Sequence, residues 1–247
     1  MCSHGWLGTV VAIAACGRVD FDARRGPCAI PSTAPATVTL SGATYTYTDF
    51  NNGRAPTPSS VVTATARDSG AQLAQTTSDA NGHYQLAVPT GGSPVDLVLT
   101  TENPNYLTST SWFDGPFERD LDATDQRLAN LAQWGDGSLD SVYGASNQTR
   151  DGTRGSINVS TRACDGTPIE GAVLTFDPPP GAVYYTGTDG LPIGDATHLP
   201  YVIGVAYNAI PGATTITATA PDHAFEPQTI TVLAGENVTL LPLRAVD

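Results

Sequence analysis

The chain has 247 residues, enough for two ordinary domains or one large β domain with a core of its own. Its formal net charge is −13 and all eleven basic residues are arginine, so a phosphate backbone repels it and nucleic acid is excluded as a partner class. Threonine, valine, alanine and glycine dominate and helical patterning is nearly absent, which points to an all-β protein with many turns.

From Leu7 to Ala15 the residues are almost all apolar, about the length of a signal-peptide core and well short of the ~20 residues a spanning helix needs. The run ends Ile13-Ala14-Ala15-Cys16, and these residues resemble the lipobox of bacterial lipoproteins. The resemblance implies that residues 1–16 are a signal, with Cys16 acylated on sulfur and left as the new N-terminus. It also implies an exported protein, lipid-anchored to the bacterial cell envelope at the outer membrane. The opening Met1-Cys2-Ser3-His4-Gly5-Trp6 departs from that pattern, because it holds no Lys or Arg. The other reading of residues 7–15 is an ordinary buried strand, with Cys16 a small core residue.

Residues 17–36 carry Pro and Ser punctuation without alternation, as a flexible tether should. If the signal is removed and Cys16 is lipidated, Cys28 and Cys164 are the cysteines left. Export places them where disulfides form, and they either pair or remain two separate thiols.

Alternating runs begin at Thr37 and mark a first unit over 37–116: 37–48, 59–67, 82–89 and 94–101. In the second run Val61, Thr63 and Thr65 share one face, and Val62, Ala64 and Ala66 the other. Turn pairs separate the runs at Asn52-Gly53, Ser69-Gly70, Asn81-Gly82 and Gly91-Gly92, a spacing that reads as a sandwich. Residues 117–153 form a connector. Leu121, Leu128, Leu131 and Trp134 fall near helical spacing there, with Thr124 as N-cap and Gly135 as stop. The competing reading is an extended crossover loop with apolar anchors. A second unit over 154–247 repeats the strand and turn grammar of the first.

Two motifs carry a further resemblance. Gly166, Pro168, Gly171, Ala172 and Val173 in the second unit, and Ser78, Asp79, Gly82 and Tyr84 in the first, are similar to carboxypeptidase regulatory-like domains, the small transthyretin-like sandwiches. Ser78 stands where that family has threonine, and residues 186–201 replace the second unit's turn with a longer segment. The resemblance covers roughly 37–108 and 154–243 and implies two tandem Ig-like or transthyretin-like β-sandwiches. A non-catalytic binding or structural module goes with it. In the first motif Asp79 can accept bonds from turn amides, Gly82 can take positive φ, and Tyr84 can pack at the core edge. Asp79 and Asn81 offer too few oxygens for calcium.

The same sandwich hosts intradiol dioxygenases, which hold iron with two Tyr and two His, so a metal-dependent oxygenase or a hydrolase is the alternative function. Here His83, His198 and His223 are scattered, and neither a nucleophile elbow nor a zinc helix nor a P-loop is present. Asp120 with Asp122 and Asp136 with Asp140 sit among turn residues and read as solvated. The expectation is therefore a non-enzyme without metal or cofactor. Its partners are a membrane, through the lipid, and an envelope glycan or protein. Tyr106, Trp112 and Phe113 are the candidate ligand-binding aromatics, with core packing as the competing role.

Overall fold

Runs that alternate apolar and polar residues bury one side when they pair as strands, and strands make up most of the regular structure among the described residues. The computed structural model describes residues 31–48, 53–113, 115–122, 131–186, 194–200, 202–235 and 237–246. The apolar run 7–15, Cys16, Cys28, Thr124 and Leu128 lie outside them.

The first unit comprises β1 (Thr37–Tyr47), β2 (Arg54–Pro56), β3 (Val61–Ala66), β4 (Gln72–Thr77), β5 (His83–Pro89), β6 (Leu97–Asn103) and β7 (Tyr106–Trp112). Strand β5 buries every second residue, Tyr84, Leu86 and Val88, and pairs antiparallel with β1 so that Leu40 faces Leu86. These side chains meet Val62 and Ala64 of β3 and Leu97 and Leu99 of β6, closing a core that also holds Phe113, Phe117, Leu121 and Leu131. Each such aliphatic side chain contributes about 1.5–3 kcal/mol over leaving it in water.

Next come β8 (Leu131–Gln133) and α1 (Asp136–Ala145), then β9 (Gly155–Arg162), β10 (Val173–Asp177) and β11 (Ala182–Tyr185). The chain ends with β12 (Ile203–Ala209), β13 (Gly212–Thr219), β14 (Gln228–Val232) and β15 (Asn237–Arg244). Strands β10, β13 and β14 form a three-stranded sheet. Its Leu174, Phe176, Ile216, Ile230 and Val232 pack on Ile157, Val159, Ala206 and Leu243 to make a second core. The fold is an all-β sandwich architecture with one short helix among the described residues.

One eight-stranded sheet runs through both units in the order β11-β12-β9-β15-β7-β6-β3-β4. Strand β15 is parallel to both neighbours, placing Val238 opposite Ile157 of β9 and Thr110 of β7. Parallel neighbours need crossover connections, and the passage from β14 in one sheet to β15 in the other supplies one. A single pairing rank runs Thr63, Thr100, Thr110, Val238, Ile157, Ala206. Paired residues share a face. The face that turns inward in the second unit, at Ile157 and Ala206, is therefore the outward face of the first, at Thr63 and Thr100. The smaller sheet of the first unit, β2-β1-β5 with β8 also paired to β1, and the β10-β13-β14 sheet thus cover opposite sides of the shared one. Helix α1 lies on the side of the first, with Leu139 and Tyr143 against Val205 and Tyr207.

The helix is displaced from its expected place. Leu131–Gln133, read from the sequence as helical, is a strand that pairs parallel with Thr44–Thr46 of β1, and Gly135 starts the helix instead of stopping it. Leu131, Ala132 and Gln133 are all buried. Pairing with β1 engages their backbone groups on that side, and a stretch of three residues has no period strong enough to resist it.

Candidate functional site

The three aromatics singled out from the sequence sit at three different levels of the first unit. Phe113 is 1% exposed and packs edge-on against Phe117, ring centroids 5.1 Å apart, so it is a core residue and presents no ring to a ligand. Trp112 is half-buried where the units meet, its ring against the second core and the Arg67 guanidinium 5.4 Å from its centroid. Arg67 is itself held, donating Nη2–H to the Phe113 carbonyl and lying 3.2 Å through Nε from Asp96 Oδ1. That separation is an ion pair, although Nε is not aligned as a hydrogen-bond donor to it. Tyr106 is half-buried at the start of β7. The structure therefore does not bring Tyr106, Trp112 and Phe113 together as a platform. Neighbouring positions on a strand point to opposite faces, which separates Trp112 from Phe113.

An aromatic group missed in the sequence does assemble. Tyr45 and Tyr47, two apart on β1, meet edge to face at 5.3 Å, and Trp134 lies 4.7 Å from Tyr47 at a tilt of 33°. The Arg54 guanidinium stands 4.4 Å over the Tyr45 ring. Burial, then the neighbouring Tyr47, pushes the Tyr45 phenol far above the ordinary tyrosine range. The alternation in Thr44-Tyr45-Thr46-Tyr47 was the available signal. These rings use their faces on one another and on Arg54, and so they staple β1, β2 and the end of β8.

Beside them lies a buried polar network. Ser60 Oγ lies 2.8 Å from both the Thr57 carbonyl oxygen and Gln133 Oε1, its one proton serving either acceptor, and it accepts from Asn103 Nδ2 at 3.1 Å. Ser78 Oγ donates to the same Thr57 carbonyl and accepts from the Ser60 amide. With its hydroxyl so engaged and no base beside it, Ser60 is a structural serine, fixing the loop before β3 to β8.

The motif at residues 78–84 folds as its chemistry dictates. Asp79 Oδ1 accepts from the amides of Asn81 (2.8 Å) and His83 (2.9 Å), and Gly82 has φ +78°. Tyr84 is 4% exposed, inside the first core. The histidines stay apart in the fold. His83 Nδ1 is 3.9 Å from Asp79 Oδ2, His198 Nδ1 is 3.6 Å from Glu170 Oε1, and His223 lies in the exposed turn between β13 and β14. Among the described residues no three His, Cys, Asp or Glu side chains cluster as metal ligands would. An open groove lined by Thr39, Ser41, Gln85, Asp120 and Asp122 has one carboxylate occupied internally, since the Thr39 amide donates to Asp120 Oδ1 at 2.7 Å.

Cys164 is disulfide-bonded, with its sulfur 3.1 Å from the Ala245 carbonyl oxygen. That is a packing contact, because a disulfide sulfur has no proton to donate. Cys2, Cys16 and Cys28 lie outside the described residues. No described helix is long and apolar enough to cross a membrane.

No protein-family model and no curated protein matches the sequence. Among solved structures, the chain is similar to the shaft pilin spaA from Lactobacillus rhamnosus GG at 14% identity and a TM-score of 0.28, over 83% of this chain and 98% of that one. GBS52, the minor pilin of Streptococcus agalactiae, matches at 12% identity and a TM-score of 0.26, over 84% of this chain and 95% of that one. The Bacillus anthracis TIE protein matches at 10% identity and a TM-score of 0.29, over 85% of this chain but only 34% of that one. At these scores the likenesses stop short of a common superposition, and the sandwich assignment stands on the chain's own sheets and cores.

Proposed function

We propose that the chain is an exported, non-catalytic envelope module whose two sandwich units act as one rigid body, lipid-anchored through Cys16. The observation that carries this reading is the shared sheet. Strand β15 pairs with β9 on one side and β7 on the other, so the last strand of the second unit completes the sheet of the first. A rigid double unit is suited to holding a surface at a fixed distance, and its polar clusters are spent on internal bonds. The finer reading, two carboxypeptidase regulatory-like sandwiches, is supported by Gly82, Gly166 and Gly171, motif glycines that all take positive φ.

In this reading Cys28 is the partner of Cys164. The bridge would attach the tether beside Ala245, at the C-terminal end of β15, and close a loop around the whole first unit. Calorimetry on the full chain tests the rigid-body proposal: one cooperative transition is expected, and two resolved transitions would overturn it. Membrane fractionation tests the anchor. Cys16→Ala is expected to release the protein or block its processing, and a membrane-bound, processed Cys16→Ala chain would count against it.

A further inference from the structure

We propose that the outer face of the β10-β13-β14 sheet is a docking surface for a neutral polysaccharide. The face is tiled with threonine. Thr175 stands opposite Thr217, Thr215 opposite Thr229, Thr219 opposite Val173 and Thr231 opposite Ala213. Thr215 and Thr217 are half-buried and the other four threonines exposed. The hydroxyls of Thr215 and Thr229 lie 3.1 Å apart and bond each other. Asp177, at the end of β10, brings the one charge among these positions.

The small sheet is stacked on the side of the shared sheet that carries Thr63 and Thr100, so the uncovered threonines of the first unit look the same way. Among the strand positions of the small sheet's outer face Asp177 is the one charge in a chain with 24 acidic residues, whereas the first unit's part of this side carries Glu102, opposite Val61, and the Arg67–Asp96 ion pair. Strands with a solvent face ordinarily intersperse charges of both signs there, which keeps them soluble and guards against association.

The charge pattern decides among occupants. At −13 the chain repels a polyanion and repels a second copy of itself, and this face has no apolar centre of the kind a stable dimer needs. A neutral glycan meets neither obstacle. Each threonine offers a hydroxyl that donates and accepts, and a methyl group that can lie against a sugar's C–H face. The tiles repeat at about 6.6 Å along a strand and about 4.8 Å across strands, on the scale of one sugar ring. The proposal deepens the envelope-module reading and rests on it only for where the glycan is met. Its test uses purified protein, so the two can fail separately.

Full-length protein is incubated with microcrystalline cellulose, chitin and insoluble β-1,3-glucan, with alginate beads as the anionic control, and the bound fraction is measured against polymer mass. Retention on at least one neutral polymer and none on alginate is expected. The triple substitution Thr175→Val, Thr217→Val and Thr229→Val keeps the β-branched shape while removing three hydroxyls, and should weaken retention at least tenfold. Thr217→Glu alone should do the same, and carries the test if the triple variant loses its far-ultraviolet sheet signal. Absence of retention on all three neutral polymers, or equal retention by wild type and Thr217→Glu, overturns the proposal. So does a wild-type dimer in light scattering that Thr217→Glu dissolves, which would give the face to a second copy.

Discussion

Gly82 is the residue whose identity the backbone dictates most strictly. Its φ of +78° disfavours any side chain, and a Cβ there would stand 2.4 Å from the Thr44 carbonyl oxygen, a group already fixed in the β1 ladder. Gly82→Ala should therefore destabilise the first unit by roughly 1–3 kcal/mol from the backbone conformation alone, read as a lower denaturant midpoint at unchanged slope. The acid behaviour follows from three exposed turn aspartates. Amides of His83 and Asn81 hold the Asp79 carboxyl below the ordinary value of 3.8. The Thr153 hydroxyl and amide do so for Asp151, and the Thr167 amide for Asp165. A carboxyl depressed on folding contributes fully above its unfolded value and loses that contribution as pH falls through its folded one. The melting temperature should stay flat between about pH 7 and 5 and drop below the ordinary aspartate value. Replacing all three with Asn should flatten the drop, and an unchanged acid limb in that variant would count against these turns as its source.

Helix α1 begins at Gly135, whose backbone is extended and which offers no side-chain cap. A Cβ there finds only Ser138 Oγ, at 3.8 Å, so a larger residue fits. Gly135→Ser should stabilise the chain by roughly a few tenths of a kcal/mol, visible as a small rise in melting temperature. Strand β15 gives the opposite case. Leu243 is 1% exposed and lies in the second core. Leu243→Ala should cost about 2–5 kcal/mol, and because β15 also pairs with β7, amide exchange should accelerate in both units.

At the scale of the whole molecule, Trp112 is the side chain through which the first unit reaches the second core, with Arg67 and Asp96 bracing it from behind. Trp112→Ala should remove roughly 3 kcal/mol and begin to separate the unfolding of the two units in calorimetry. Tyr106→Ala, at the other end of the same strand, should leave the transition single. Loss of the Cys164 bridge by Cys164→Ser should lower stability by about 2–5 kcal/mol, measured with and without reductant; equal stability in both would show that the bridge constrains nothing.

Fold class was legible because alternation is local: the pattern that buries Tyr84, Leu86 and Val88 of β5 is written in seven consecutive residues. The turn at Asp79–Tyr84 was legible for the same reason, since a side chain bonding amides two and four residues on needs no distant partner. The strand at Leu131–Gln133 was not legible, because its partner β1 lies more than eighty residues earlier and three residues carry no period of their own. Nor could the sequence show that Phe113 is buried while Trp112 spans two cores, or that the threonines of both units face one side. Those outcomes depend on β15 entering between β9 and β7, a pairing of strands far apart in the chain that only the assembled sheet decides.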